Sequence, residues 1–586
     1  INRPLPAILL FILLGIVGLV GFQQLSVSRF PDIAYPGVTV SVALPGATPN
    51  QLETEVTRRI EDSIATLPEV NKLISTVVEG NSTTFVEFKL SKDLGDALDE
   101  VRDAVTRIRT DLPQDIQEPV VAKLEIVGGT LVTYAVASPT MTEDELSWFV
   151  DDAVTKAMFA VPGVGQVTRA GGVNREVQVD LRPGVLAAYG LTAGQVSQQL
   201  AASQLERSGG RATWAGGEQA IRAVGTVQRA QDLALFPIVL PDGSQVPLSA
   251  LADVKDGHEE RRGLALLDGQ PVVAFGITRT RGASELEVGA GVEAAIARLE
   301  ATHPGVEFSL VSTAVDEVKG SYKSSMMMLY EGALLAVLVV WFFLRDWRAT
   351  WISAVALPLS IIPTFGVMWL FDFSLNLVTL LALAVVVGIL VDDAIVEVEN
   401  IDRHLAMGKS PKVAATEAAD EIGLAVIATS ATLAAVFIPV AFMPGIAGKF
   451  FLEFGWTAAT AVIFSLMVAR LLTPMMAAYQ LKPKAHVDKE SKLMRWYLGL
   501  VEWALANRAK TLWGALAMFI GSLALVPLIP ATFIPGSDLG RSNLSLELAP
   551  GATLEQTAAM SERARAMISD IPELRQAYAT VGGILD

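Results

Sequence analysis

The sequence has no cysteine among its 586 residues, which excludes disulfides and thiolate metal sites. Histidine is also scarce, and two of the four residues, His258 and His303, are isolated from any metal-ligand spacing. Basic residues number 45 against 62 acidic ones, and the net charge of −17 argues against nucleic acid as a partner, because such a surface repels a polyanion. The chain has no nucleotide-binding loop and no nucleophile–base pair, so we predict no cofactor and no enzymatic activity, and we expect an ion gradient to supply energy.

The chain is richer in apolar residues than an ordinary soluble protein. They make up 51% of the sequence, with 18% charged residues and a mean hydropathy of +0.44. This composition is too apolar for an ordinary soluble protein and too charged for a purely membranous one. We therefore expect membrane helices plus at least one large water-exposed domain.

Seven apolar stretches are long enough to cross about 30 Å of hydrocarbon. We predict spans at 5–25, 326–344, 351–371, 375–398, 423–443, 452–479 and 511–530. The first is interpreted as an uncleaved anchor, because its apolar run is too long for a signal peptide and no small-residue cleavage pattern follows it.

Basic residues concentrate in the connections on one side of these spans, which the positive-inside rule assigns to the cytoplasm. They are Arg3, Arg345, Arg348, Arg403, Lys409, Lys412, Lys482, Lys484, Lys489, Lys492 and Arg495. The acidic segment 26–325 and everything after about 531 are then expected outside the membrane, in the periplasm of a bacterium.

The segment 30–325 alternates between strand and helix patterns. Val38, Val40 and Val42 follow the period of a strand, and the apolar residues of 52–64 follow the period of a helix. Over 30–128 the order β-α-β-β-α-β predicts a split βαβ subdomain. A second copy is predicted from near Thr130, with strands at 164–169, 174–181, 272–278 and 306–311 and helices at 142–160 and 284–301. The Gly- and Gln-rich stretch 183–270 is predicted to be inserted into it.

A distant repeat relates the two ends of the chain. Pro45–Thr48 and Gln51 recur as Pro550–Thr553 and Gln556 at an offset of 505 positions, and Asn2-Arg3 recurs as Asn507-Arg508 at the same offset. We infer that the chain begins a second copy of a unit of this length, and that the intact protein is about twice as long.

Two adjacent carboxylates, Asp392 and Asp393, lie inside the otherwise apolar fourth span. A carboxylate at the centre of a membrane helix costs about 2.5–3.5 kcal/mol on insertion scales, so such groups mark ion pathways. Two of them so close in a low dielectric cannot both ionise cheaply, and we expect the pair to accept a proton and to titrate as a unit. The alternative is a pair held permanently in a salt bridge, for which the other spans offer few cations.

Two further charges lie near that pair. Glu397 follows Asp393 by one helical turn on the same face, and Arg470 lies in the sixth span. We predict that these two side chains pair, because a buried charge without a partner is costly. The alternative for Arg470 is that its side chain extends to the membrane interface.

The stretch Gly388–Val396, followed by Glu399-Asn400, closely resembles the fourth-span motif of RND (resistance–nodulation–division) exporters. The double aspartate resembles the hydrophobe/amphiphile, or multidrug, efflux branch of that superfamily. Other matching stretches are Phe30–Asp32, Pro45–Thr48, Val161–Gly165, Leu186–Thr192 and Phe343–Thr350. The resemblance extends over essentially the whole chain, and the motifs together are highly specific.

This resemblance implies a proton-motive-force-driven exporter of amphiphilic small molecules in the bacterial inner membrane. It implies a homotrimer, embedded in membrane lipid, that works with a periplasmic adaptor protein and an outer-membrane channel. Asp392 and Asp393 would be the proton-relay acids, and the partner lysine of the family would lie on a tenth span beyond this chain. Glu397 stands where the family usually has an aliphatic residue, and from the sequence itself we take Glu397 and Arg470 as possible auxiliary charges.

The implied fold is an α-helical membrane bundle plus periplasmic α+β porter subdomains of the split βαβ, ferredoxin-like type, with an inserted docking subdomain and a truncated second copy. The predicted boundaries are 1–29 for the first span, 30–128 for the first porter subdomain, 129–182 and 271–325 for the second, 183–270 for the docking subdomain, 326–480 for spans two to six, 481–510 for a cytoplasmic linker helix, 511–530 for the seventh span and 531–586 for the start of a third porter subdomain.

The chain departs from the family pattern in the expected substrate pocket. It reads Arg169-Ala170-Gly171 where familiar drug exporters carry a phenylalanine, and Thr130–Val136 lacks the phenylalanine that usually begins that strand. We therefore expect a pocket poor in aromatic rings, which favours flexible amphiphiles over planar dyes.

Two other functions remain open from the sequence. One is an RND metal exporter, although segment 26–325 offers only Met141 and Met158 as soft ligands. The other is a non-transporting, lipid-sensing or scaffold protein of similar topology.

Overall fold

The computed structural model describes residues 4–33, 36–123, 129–203, 206–214, 217–224, 227, 229–482, 492–529, 540–549 and 551–582. The chain divides into two compact units. The first comprises Ile1–Ile126 and Asp316–Ser545, and the second comprises Val127–Val315 and Leu546–Asp586.

The first unit contains an antiparallel four-stranded sheet covered by helices. In spatial order its strands are Val70–Val78, Asn81–Phe88, Gly37–Ala43 and Val120–Lys123. The helices are Pro49–Leu52, continued through the π-helical turn Glu53–Thr57 into Arg58–Ala65, and Leu94–Arg107, which is followed by the 3₁₀ turn Arg109–Asp111. This order and pairing are those of a split βαβ fold, as the hydrophobic periods of the sequence predict.

The core of that sheet follows the predicted alternation. Val38, Val40 and Val42 are fully buried, and the helix contributes Leu52 and Val56 to the same cluster. Successive side chains of a strand point to opposite faces, so one apolar face is enough to seat both helices.

The first unit also contains the membrane helices. Among the described residues, seven helices are long and apolar enough to cross a membrane. They are Pro4–Gln24, Val315–Leu344, Trp347–Leu370, Leu377–Ala406, Pro411–Ala441, Gly445–Gln480 and Arg508–Leu528. The helix Lys492–Ala506 precedes the last of them, and the predicted linker residues 483–491 lie outside the described residues.

Several membrane helices are longer than the predicted spans. The second begins at Val315 and the fifth at Pro411, because both continue into polar turns beyond the apolar stretch that the sequence reveals. The sixth contains a π-helical segment, Val468–Leu472, between Gly445–Met467 and Thr473–Gln480. Apolar length therefore identifies the part of a helix that crosses hydrocarbon, not the positions where the helix begins and ends.

The second unit repeats the split βαβ arrangement. Its central strands Val132–Ala137 and Gln270–Arg279 pair with each other, and their outer neighbours are Glu307–Thr313 and Val164–Ala170. The helices are Glu143–Phe149, continued through Val150–Val154 into Thr155–Phe159, and Glu285–Thr302. Leu264–Leu267 extends the sheet and pairs with Tyr578–Val581 near the end of the chain.

One predicted strand of this copy lies elsewhere. Arg175–Leu181 pairs with Ala252–His258 in a separate two-stranded ribbon, and not with the sheet that contains Val164–Ala170. Period-2 alternation identifies a half-buried strand but not its partner, so the sequence did not predict this pairing. The remaining elements of the insertion are helices Pro183–Ala188, Ala193–Ser203, Ala230–Ala234 and Leu248–Leu251, and strands Glu206–Trp214, Gly217–Val224, Pro237–Val239 and Gln245–Pro247.

The predicted start of a third porter subdomain forms only in part. The helix Leu554–Ile568 is present, but Leu544–Leu548, which matches the first strand of the chain in the repeat, is not in a strand. The matching strand Gly37–Ala43 lies between two hydrogen-bonded neighbours. Leu544–Leu548 pairs with no other strand within the described part of the chain, and alternation by itself does not form a strand.

Candidate functional site

The fourth membrane helix, Leu377–Ala406, places the two adjacent carboxylates near its middle. Asn376 caps its first turn: the side-chain oxygen accepts hydrogen bonds from the backbone N–H groups of Val378 and Thr379, at 2.9 and 3.0 Å. The Thr379 hydroxyl in turn accepts from the Asn376 backbone N–H at 3.0 Å. This reciprocal cap satisfies N–H groups that a helix otherwise leaves unpaired in hydrocarbon.

Asp393 is held between three helices. Its side chain is buried, and its Oδ2 accepts hydrogen bonds from Ser430 of the fifth helix at 3.2 Å and from Ser465 of the sixth at 3.1 Å. Both serines are buried as well. The carboxylate therefore has two hydroxyl partners and no cationic one among the described residues.

Each of the two serines has a second acceptor in reach. The Ser430 hydroxyl lies 2.9 Å from the backbone oxygen of Val426, and the Ser465 hydroxyl lies 3.0 Å from that of Leu390. A hydroxyl has one proton to donate and two lone pairs to accept with. Both serines can donate to an ionised Asp393. A protonated Asp393 can donate its single O–H to one serine, and that serine then donates to its backbone oxygen. The site thus offers hydrogen bonds to both protonation states, as reversible proton binding requires.

Asp392 faces a different direction. It is exposed in this chain and makes no hydrogen bond or ion pair with the described residues. It belongs to an exposed stripe of the fourth helix that also contains Leu381, Val385, Gly388 and Val396. Adjacent side chains of an α-helix point about 100° apart, so the two acids have different surroundings within this chain.

Glu397 and Arg470 form the predicted pair. The Glu397 Oε2 lies 3.6 Å from the Arg470 Nη1, with 0% of the Glu397 side chain exposed and 26% of that of Arg470. This is an ion pair by distance but too long for a hydrogen bond, and within the described residues neither Glu397 oxygen has a hydrogen-bond partner. Arg470 donates instead to the backbone oxygen of Ala419, at 2.6 Å. Its guanidinium thus lies against the fifth helix.

Sequence reasoning missed three polar residues of the bundle. Ser430 and Ser465 bind Asp393, and Glu453 of the sixth helix accepts a 2.6 Å hydrogen bond from the side-chain amide of the capping Asn376. These residues could have been found in the sequence as small polar residues and a single acid inside apolar spans, because such groups often form hydrogen bonds between membrane helices.

The second unit contains a polar cavity of about 570 Å³. Arg169 occupies its wall and donates to the Asp151 carboxylate at 2.9 Å, to the Gly171 backbone oxygen at 2.8 Å and to the Asn174 side chain. The other described lining residues are Gly172, Val173 and Glu259–Gly263, and no aromatic ring is among them.

Comparison with known proteins relates the chain to one family. A sequence model described as the AcrB/AcrD/AcrF family matches residues 1–585. The multidrug resistance protein MdtC of Yersinia pestis bv. Antiqua (strain Angola) is 31% identical over 552 residues, which cover 92% of this chain and 54% of that protein. MdtC of Yersinia enterocolitica serotype O:8 is 30% identical over 560 residues, with the same shares of 92% and 54%. The chain therefore spans about half the length of the curated relatives it matches.

Proposed function

The chain belongs to the AcrB/AcrD/AcrF family, and from this membership we propose that it forms about half of a proton-motive-force-driven exporter of hydrophobic and amphiphilic compounds. The observation that carries the proposal is the burial of Asp393 between two serines in the middle of a membrane bundle. A carboxylate in such a place is energetically costly, and acids at such positions mark ion pathways. Here both the ionised and the protonated form of Asp393 find hydrogen bonds.

The chain is a multi-pass inner-membrane protein of the RND multidrug efflux class. We extend this to a homotrimer that passes its substrates from the inner membrane or periplasm to an adaptor protein and an outer-membrane channel. The α+β subdomains of the two units act in this proposal as porter elements, and the insertion around 183–270 acts as the docking element.

The exposed position of Asp392 supports the proposal that a further helix packs against this face of the fourth helix. A carboxylate facing hydrocarbon at mid-membrane costs about 2.5–3.5 kcal/mol on insertion scales, so its stripe has to be covered by protein. We propose that a helix of the second half of the transporter covers it and brings a cation to Asp392.

The distant sequence repeat supports that second half. Gly46 and Gly551 both have positive φ, +80° and +92°. Two residues after each, Thr48 and Thr553 cap a helix through the backbone N–H groups of Gln51 and Gln556. The same turn and cap thus recur 505 positions apart, which supports a duplicated architecture.

The proton-coupling role is tested by Asp393→Asn in the intact transporter. The amide keeps the shape of the side chain but does not ionise, so export driven by a proton gradient should fall about 100-fold or more. Asp402→Asn, on the same helix but near its end, is the matched control and should export normally. Substantial gradient-driven export by Asp393→Asn, at equal expression and trimer content, contradicts the proposal.

The polar cavity supports a substrate class. Stacking on a ring adds about 0.5–1.5 kcal/mol beyond area burial, and the cavity beside Arg169 offers none of it. We propose that flexible amphiphiles, such as detergents or bile-salt-like acids, are better substrates than planar dyes. Glu260→Phe, which adds a ring at an exposed lining position, should then improve dye export several-fold in a competition assay and leave detergent export unchanged. Dyes that already lead the panel, with no gain from the added ring, contradict this preference.

A further inference from the structure

Glu397 is the least satisfied polar group at the centre of the bundle. It is completely buried, both of its oxygens lack a hydrogen-bond partner among the described residues, and its one compensation is the guanidinium 3.6 Å away. Asp393 lies four residues earlier on the same helix, so the two side chains are neighbours on one face, with roughly 5–6 Å between their Cβ atoms. That separation suits proton transfer through one water molecule.

The structure makes room for the Arg470 guanidinium in a specific way. A Cβ atom added to Gly423 of the fifth helix would lie 2.5 Å from the Arg470 Nη2, so a methyl group there would push the guanidinium aside. Arg470 also lies in the π-helical segment Val468–Leu472. Such segments are frequent at functional sites, because the extra residue re-aims the side chains of one turn.

A cleft of about 800 Å³ opens beside Arg470, at the end of the bundle that carries the basic residues Arg403 and Lys409. Pro6, Leu10, Glu417, Asp420, Arg470 and Pro474 are among the residues that line it. Glu417 already bonds to Lys409. Asp420 is exposed and forms no ion pair within the described part of the chain. Arg470 therefore contacts the buried Glu397 and also lines a solvent-accessible cleft. In that cleft the Asp420 carboxylate forms no ion pair within the described residues, so it is available to the guanidinium.

We propose that Glu397 carries protons between Asp393 and this cleft, with Arg470 as the gate of the last step. The inference rests on the proposed proton-driven export. In the first step the proton leaves the Asp393 carboxyl, passes through one water molecule and binds the Glu397 carboxylate, so that Asp393 becomes ionised and Glu397 neutral. Neutral Glu397 no longer attracts the guanidinium, and Arg470 turns towards Asp420. In the second step Glu397 releases the proton to water in the cleft, and the restored carboxylate draws Arg470 back.

Few charged groups surround Glu397, so the position of the Arg470 guanidinium depends mainly on whether Glu397 is ionised or neutral. Its own helix contributes Asp393, the sixth helix Arg470, and the fifth helix Glu417 and Asp420 through the cleft. The first helix lines the cleft with uncharged residues, and the neighbouring stretch 349–360 of the third helix has no charged residue.

The test uses the intact transporter in proteoliposomes, with export measured while the pH on the cleft side is varied. Glu397→Gln keeps the shape of the side chain but carries no exchangeable relay proton, so export should fall about tenfold or more and lose its dependence on the pH of that side. Gly423→Ala should displace the guanidinium and slow export while all the charges remain. Gly15→Ala, where an added Cβ meets no atom within 4 Å, is its control and should be normal.

If the Glu397–Arg470 pair were purely structural, a double variant that replaces both residues would export normally, whereas the relay proposal predicts slow export. Replacing a buried pair with apolar residues is often neutral or stabilising, so Glu397→Leu/Arg470→Leu would then export at the normal rate. Under the proposal it keeps the thermal stability of the unmodified protein but stays slow. Normal export by Glu397→Gln, Gly423→Ala or the double variant overturns the relay. Export by Asp393→Asn overturns the proposed proton coupling itself, so the two failures are distinguishable.

Discussion

The membrane bundle and the two-stranded ribbon of the second unit handle charge in opposite ways. In the bundle Arg470 pairs with a carboxylate that is 0% exposed. In the ribbon Arg175 pairs with Asp256 at 2.7 Å, and the two side chains are 62% and 47% exposed. Water already solvates the ribbon charges, whereas the buried Glu397 carboxylate depends on Arg470 for compensation. Loss of one partner should therefore cost little stability in the ribbon and much more in the bundle.

The largest stability effect should come from removing one member of the buried pair. Arg470→Leu leaves the Glu397 carboxylate without compensation, which costs about 3–5 kcal/mol in comparable sites. Thermal unfolding of the purified protein measures it, with Arg175→Leu in the ribbon as the exposed counterpart. Equal losses from the two variants would remove the contrast between the regions.

A smaller effect should follow loss of a hydroxyl beside Asp393. Ser465→Ala removes one hydrogen bond to the carboxylate, and bonds to charged groups contribute about 1.5–3 kcal/mol. Gradient-driven export should therefore fall about tenfold or more. Ser360→Ala is the control, because among the described residues that buried hydroxyl bonds only to the backbone oxygen of Ala356. If both variants export alike, the serine does not support the function of Asp393.

The smallest effect is expected in the ribbon, and it depends on pH. The hydrogen bond from Arg182 lowers the pKa of Asp253, and that from Arg175 lowers the pKa of Asp256. A carboxyl with a lowered folded-state pKa contributes stability above its unfolded pKa of about 3.9 and loses it as the pH falls through the lower folded value. Asp253→Asn should therefore change stability slightly at pH 7 and not at all in strong acid. Unfolding followed between pH 7 and pH 2 measures this, and a large change at neutral pH contradicts it.

The sequence by itself determined the elements whose signal is local. Alternation at Val38–Val42 predicted the central strand of the first sheet, and apolar length predicted the seven described helices that are long and apolar enough to cross a membrane. A charged pair in an apolar span predicted where polar chemistry lies on the fourth helix. These features depend on side chains within one or two turns of each other, so a single stretch of chain contains the information.

The tertiary structure alone decided which groups meet. Ser430 and Ser465 are 37 and 72 positions from Asp393, and no local period connects them to it. Tertiary packing also left Glu397 without a hydrogen bond among the described residues, and it paired Arg175–Leu181 with Ala252–His258 instead of with the sheet. Partners of this kind are chosen by which faces come together on packing, and that choice depends on the whole unit rather than on any one segment of it.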